Sequence, residues 1–415
     1  MTRTSTRRRQ VPSLLDDPRI RRAKVPERRF LFAVPPLTGH VAPAAGVAAE
    51  LARRGHKVAW TGHRASLEPR LRPGSRVYDS VDGAFGTRLP GIHRDWSDLS
   101  GLAALRFHWE EFVVPLGHAM MAGVGKAIDR FRPDVVVADQ LALAAPVAAR
   151  HSEIPWATAA ATPAEFTRPL AGEPETEEWV RDQIGGFQLD HGIDELLDLR
   201  FSDRLVLVFS TGALIGDVSF FPGHFAFVGP ALGRPAPGAF PWDLLDGRPS
   251  VLVSLGSVDG PSAQRFLGTA VEAVRDLDVQ AIVVAPPGTL TDPPPNVLVR
   301  DRVPPLKLLE HVSAVVCPGD HSTVCEALAR GVPLVVAPVR GDEPVIARRV
   351  EAAGAGVAVP FADARPDDLR AALAAVIADG PHRAAAGRVR DSFAEAGGAT
   401  EAADRLETLR GSGSG

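Results

Sequence analysis

Val315–Pro344 reads VVCPGDHSTVCEALARGVPLVVAPVRGDEP. An apolar run breaks at Pro-Gly, a segment with helical spacing follows, and a Gly-Val-Pro turn leads into a second apolar run. Short apolar runs bounded by breakers suit strands covered on both faces of a parallel sheet. Strand, helix and strand at this spacing make a right-handed crossover unit. The stretch therefore predicts an α/β domain wound about a parallel sheet. Its first loop delivers a helix N-terminus near Ser322 and Thr323, whose backbone N–H groups and hydroxyls suit a diphosphate.

The same grammar extends outward in both directions. Around this stretch, SVLVSLGS (Ser250–Ser257), VQAIVVAPP and HVSAVVCPG (His311–Gly319) read as strands, and AQRFLGTAVEAVRDL and EPVIARRVEAAG as helices. Farther upstream, RRFLFAVPP (Arg28–Pro36), KVAWTG (Lys57–Gly62) and DVVVAD (Asp134–Asp139) are strands, and LALAAPVAARH is a helix. A helix opening near Pro43, an apt first-turn residue, runs to a stop at Gly55. The Pro- and Gly-dense text GPALGRPAPGAFPWDLLDGRP between the halves marks a linker. The expected organisation is a disordered basic tail (1–27), a first doubly wound domain (28–228), a linker (229–249), a second such domain (250–390), a helix over Asp391–Leu409 crossing back to the first domain, and a flexible end (410–415).

Composition narrows the function classes. A net charge of −4 gives no pull towards nucleic acid. The two cysteines, Cys317 and Cys325, read as small buried thiols of a reducing compartment. The start MTRTSTRRRQ has no apolar secretory core, and no run is long enough to span a bilayer. The expectation is a cytoplasmic protein, monomeric or homodimeric.

Loops after parallel strands are where such sheets bind ligands. His40 follows the first strand in one of them, and its imidazole suits proton abstraction near neutral pH. Asp139 ends a later strand, so a carboxylate meets the same rim and can fix a histidine tautomer. In the second half, Glu326 falls on the first turn of the helix after the diphosphate loop and suits ribose hydroxyls, or simply complements the helix dipole. Asp342 and Glu343 suit sugar hydroxyls, or cap the helix before Pro344. Phe107, Trp109 and Phe112 suit a greasy acceptor, or are helix core. Asp276-Leu277-Asp278 reads as an exposed turn, no spacing suggests zinc, and no phosphate-loop or nucleophile-elbow motif occurs.

These motifs resemble the nucleotide-sugar glycosyltransferases that include macrolide and other natural-product enzymes and the UDP-glycosyltransferases. The resemblance covers about Arg28–Leu409. GHVAPAAGVAAELARRGHKV is similar to the family's opening, VVVADQ to its aspartate strand, SVLVSLGS to its second-domain entry, and Thr323, Glu326, Ala327, Leu328, Gly331, Val332 and Pro333 to its donor signature. The resemblance implies a GT-B fold: two Rossmann-like domains facing across a cleft. It implies His40 as general base, oriented by Asp139. Gly256, Ser257, Gly319, His321, Ser322, Thr323 and Glu326 would surround the donor, with Arg302 and Val303 framing the base and Asp342 and Glu343 the sugar. A sugar would pass with inversion, and without metal or cofactor, from a dTDP- or UDP-sugar to a hydroxyl of a small acceptor. The family's His-Gly-Gly is replaced by Pro318-Gly319-Asp320, and its Asp-Gln by Asp342-Glu343. A weak or inactive donor site on a helper protein is therefore the competing reading. In the active reading, His321 points inward and restores the missing donor.

Overall fold

The computed structural model describes residues 26–410 apart from 98, 100, 168–172, 196, 234–239 and 257. Nearly all of the expected basic tail, the flexible end, the middle of the linker and Ser257 thus lie outside the described residues.

The first half forms a seven-stranded parallel sheet. Its strands are β1 (Arg29–Ala33), β2 (Lys57–Gly62), β3 (Val77–Asp79), β4 (Val135–Asp139), β5 (Trp156–Ala160), β6 (Val206–Val208) and β7 (Phe225–Phe227). Their order is β3-β2-β1-β4-β5-β6-β7. The second half forms a six-stranded parallel sheet from β8 (Ser250–Ser254), β9 (Gln280–Val284), β10 (Val297–Arg300), β11 (Ala314–Cys317), β12 (Leu334–Val336) and β13 (Gly356–Ala358), ordered β10-β9-β8-β11-β12-β13. Both orders reverse direction beside their first strand, and that crevice is where doubly wound sheets take ligands.

Alternation along the strands explains the layers. Phe30 and Phe32 of β1 pack on one face with Val47 and Leu51 of the helix Thr38–Arg53. Leu31 and Ala33 point to the other face, with Met120 and Val124 of the helix Val114–Phe131. A third cluster crosses between the halves: Ala160, Phe166, Val206, Val208, Leu214 and Ile215 of the first share it with Cys325, Leu328, Ile346 and Phe393 of the second. The two domains are therefore joined by apolar core as well as by chain.

Two expectations need correction. The helix after β1 begins at Thr38, not near Pro43, which lies inside it. Pro43 lacks an N–H and costs the ladder one bond; the apolar stripe of Val41, Ala44, Val47, Ala48 and Leu51 packs on the sheet regardless. The single helix expected over Asp391–Leu409 is two, Pro381–Glu395 and Gly398–Thr408, parted where Gly397 adopts φ 84°. Both touch the first domain, Phe393 of the former beside Leu214 and Ile215, and the latter placing Ala402, Ala403 and Leu406 beside Phe30 and Leu51. Arg28 closes its C-terminal end by donating to the carbonyl oxygens of Leu406, Glu407 and Leu409 at 3.2, 3.0 and 2.8 Å. His56 Nε2 lies 2.8 Å from Glu407 Oε1, and the Arg54 guanidinium meets Asp404 and Glu407.

Candidate active site

β1 and β4 are paired neighbours, with Ala33 opposite Ala138. Asp139 ends β4, and the chain leaving β1 turns straight into the helix Thr38–Arg53. His40 therefore lies in the first turn of that helix rather than in the loop expected from sequence. The two side chains meet: His40 Nδ1 is 3.0 Å from Asp139 Oδ1 and 2.9 Å from Oδ2. Asp139 Oδ1 also accepts the Leu141 backbone N–H at 2.9 Å, which fixes the carboxylate. The Asp139 side chain is fully buried, while that of His40 keeps 13% exposure. With Nδ1–H directed at the carboxylate, the Nε2 lone pair is the one left for a proton from outside. Burial pushes the His40 pKa down, but the charge and hydrogen bond of Asp139, helped by Asp342 and Glu165, more than offset this, and the net shift is upward.

The other wall of the cleft is the N-terminus of the helix His321–Leu328. Its approach is close: a Cβ added to Gly39 would stand 3.8 Å from Ser322 Oγ. Two helix N-termini, each a locus of partial positive charge, thus come together. Gly319, at φ 103°, makes the turn; a Cβ there would sit 2.5 Å from Val336 Cγ1. Asp320 caps the helix, its Oδ1 accepting the Thr323 N–H at 3.0 Å and the Ser322 hydroxyl at 2.9 Å. Glu326 lies in the second turn of the helix, not the first. Burial and then the Asp320 charge push its pKa up to about 7.

Several residues chosen from sequence have other occupations. His321 is buried; its Nδ1–H donates to the Ala161 carbonyl of the first domain at 2.9 Å, and Cys325 Sγ lies 3.3 Å from Nε2. It is a bridge between domains rather than the replacement phosphate donor expected, and burial lowers its pKa. Asp342 Oδ2 accepts the Thr162 hydroxyl across the cleft and caps nothing by its side chain. Glu343 Oε2 accepts the Val339 and Arg340 N–H groups at 2.8 and 2.9 Å, so that oxygen holds its own loop rather than facing a sugar. Burial pushes the Glu343 pKa up to about 7 against those two bonds. Gly256 turns the chain after β8 at φ 58°, Arg302 is exposed after β10, and Val303 is half-buried.

The aromatic acceptor residues are also reassigned. Trp109 and Phe112 are buried in the core of the first domain, and Phe107 packs against the same core. They belong to or adjoin a π-helical turn, His108–Val113, inserted before the helix Val114–Phe131. Single π-helical turns of this kind are frequent at functional sites. Sequence reading missed Thr162 and the buried Arg200, which pairs with Glu165 and Asp198 at 2.9 and 2.8 Å. The Thr162-Pro163 pair was a usable signal: Thr162 caps a short 3₁₀ turn by accepting the Ala164 N–H. Asp276-Leu277-Asp278 forms the exposed turn anticipated for it. Among the described residues no group of three or more metal-ligating side chains gathers, and no helix is long and apolar enough to cross a membrane.

The family described as "Erythromycin biosynthesis protein CIII-like, C-terminal domain" matches residues 269–409. The chain is 31% identical to 4'-demethylrebeccamycin synthase of Lentzea aerocolonigenes over 92% of its own length and 99% of that protein's. It is 28% identical to demethyllactenocin mycarosyltransferase of Streptomyces fradiae, over 91% and 86% of the two chains. Its fold matches the calicheamicin glycosyltransferase CalG4 with a TM-score of 0.75 at 25% identity, covering 92% and 98%. Two Rossmann-like domains about such a cleft are the GT-B architecture of a glycosyltransferase. The chain belongs to the glycosyltransferases of macrolide and other natural-product pathways.

Proposed function

We propose that this enzyme moves a sugar from a dTDP- or UDP-sugar to a hydroxyl of a small hydrophobic natural-product acceptor, by inversion and without a metal or other cofactor. The His40–Asp139 pair carries the reading. The acceptor hydroxyl gives its proton to His40 Nε2 as its oxygen attacks the anomeric carbon. The bond from that carbon to the diphosphate breaks on the opposite side, and the nucleoside diphosphate leaves with the electron pair. Asp139 stabilises the imidazolium that forms. The paired helix N-termini supply positive potential where the leaving oxygen gains charge. Glu326 holds the ribose, and Ser322, Thr323 and the Gly256 turn flank the phosphates. Gly319 shapes that loop, Val303 and Arg302 border the base, and Asp342 meets the sugar once Thr162 yields or shares it.

A catalytically weak or inactive donor site is the second reading, and Asp320 favours it. Its carboxylate already accepts the Thr323 N–H, which a phosphate would otherwise take. It also adds negative charge where the diphosphate must sit. Calorimetric titration with UDP and with dTDP, without added metal, separates the two. Saturable binding of either supports transfer and names the base. No binding at millimolar ligand rejects the active donor site.

A further inference from the structure

Beside His40 lies a group of rings that the dyad mechanism does not use. Trp96 and His108 stack with centroids 4.8 Å apart, and Phe112 stacks on both at 5.8 and 5.9 Å. His93 joins Phe112 at 5.9 Å. Phe112 is buried, Trp96 and His108 are half-buried, and His93 is exposed at the edge of the group. Two ring atoms here are shielded from solvent yet have no hydrogen-bond partner: Trp96 Nε1 and His108 Nδ1. Buried polar atoms in native proteins are nearly always paired, so two orphans on stacked neighbours need an explanation. The π-helical turn that presents His108 is a second departure from regular structure at the same place.

The chemistry of the pair is specific. An indole N–H only donates. His108 is neutral: burial pushes its pKa down to about 3, with the charge of nearby His40 adding to the effect. A neutral imidazole has one nitrogen that accepts. A donor and an acceptor side by side match a hydroxyl, which accepts one hydrogen bond and donates another. The flat apolar faces around them match an aromatic ring. Burial and then the charge of Arg340 on the second domain lower the pKa of His93, so this group of rings lies within electrostatic reach of the far wall of the cleft.

We propose that Trp96 Nε1 and His108 Nδ1 bind a second hydroxyl of the acceptor, not the one attacked, and that the acceptor is a planar aromatic molecule with at least two hydroxyls. Trp96 and His108 are positioning residues: they set which hydroxyl lies against His40. This rests on the glycosyltransfer reading above, in which the acceptor approaches His40.

The test uses the full-length protein saturated with dTDP, and binding of 2-naphthol, 1,3-naphthalenediol, 1,6-naphthalenediol and 2,7-naphthalenediol followed by ligand fluorescence. At least one diol should bind about tenfold or more tightly than 2-naphthol, the scale of one satisfied buried hydrogen bond. H108F and W96F should each abolish that preference while leaving 2-naphthol and dTDP binding unchanged. H108F should melt no lower than the parent, because it removes an unpaired buried nitrogen. Equal binding of diols and naphthol by the parent overturns the proposal. So does a preference that survives both substitutions, or no binding of any naphthol. Should H108F not fold, W96F alone decides. Failure of dTDP itself to bind would instead count against the donor reading, and the naphthol series is then run on the unliganded protein.

Discussion

The two walls of the cleft are prepared to different degrees. On the first-domain side, Asp139 is buried, doubly bonded to His40 and pinned by a backbone N–H, which leaves Nε2 of His40 for the substrate. On the second-domain side, the groups that a diphosphate and sugar would use are already engaged. Asp320 holds Thr323 and Ser322, Thr162 holds Asp342, Glu343 holds its own loop, and His321 reaches to Ala161. On the proposed mechanism the base is preorganised, whereas a donor would have to displace or share existing hydrogen bonds. The contrast teaches that a signature helix with the right elements carries its own internal competitors when its first residues change.

Removing the base tests the better-prepared wall. His40→Ala should lower kcat/KM by roughly 10²–10⁴-fold, the usual contribution of general-base catalysis, with dTDP affinity unchanged. Asp139→Asn should fall in the same range by spoiling the tautomer. Undiminished turnover in either would reverse the assignment of roles between the walls.

On the other wall, Glu326→Ala should weaken dTDP binding by about tenfold or more, as expected for loss of a charge-assisted hydrogen bond. An unaltered dissociation constant by calorimetry would remove Glu326 from the ribose. Asp320→Asn keeps a capping oxygen but discards the charge. It should tighten dTDP binding by roughly threefold to tenfold, the scale of one screened unit charge, and weaker binding would show that the carboxylate assists rather than competes.

Away from the cleft, Glu407→Ala should cost about 1–3 kcal/mol in urea unfolding, because His56 Nε2, on a side chain only 1% exposed, loses its partner. No change in the midpoint would mean that apolar packing alone holds the last helix.

The pH responses are the smallest effects and again differ between the walls. His40 is raised above 6.5, so kcat/KM should climb with pH through a midpoint above that value as the base loses its proton. Glu326 and Glu343 are raised from 4.5 to about 7. Their protonated forms favour the folded state, so this contribution is fully present below about 4.5 and is lost as pH rises through about 7. Denaturation midpoints that rise over that window would contradict the burial of these carboxyls.

Much of the fold was legible in local text. KVAWTG is β2 to the residue, and β4, β8, β9, β11 and β12 lie inside runs recognised by apolar β-branched composition and bounding breakers. Strands covered on both faces must be apolar throughout, so their signal is strong. β3, β5, β6, β7, β10 and β13 went unread; β3, β6, β7 and β13 have three residues each, and β12, equally short, was legible only through the breakers that bound it. Parallel strands end on one rim, and that geometry sufficed to bring His40 and Asp139 together on paper.

Sequence by itself determined the alternation of strand and helix and the two-domain architecture, because each follows from periodicity and punctuation, and it put His40 and Asp139 at one rim; their roles as base and partner came from the family resemblance. Tertiary structure alone decided which candidates are free to act. Whether His321 meets a phosphate or the Ala161 carbonyl depends on how two domains close on one another. So does the engagement of Asp342 by Thr162. Trp109 and Phe112 turn into the core while His108 of the same π-helical turn and Trp96 of the helix Gly83–Ser97 keep unpaired ring nitrogens, a meeting that only packing decides. Contacts between residues far apart in the chain are set by packing, and local pattern carries no record of them.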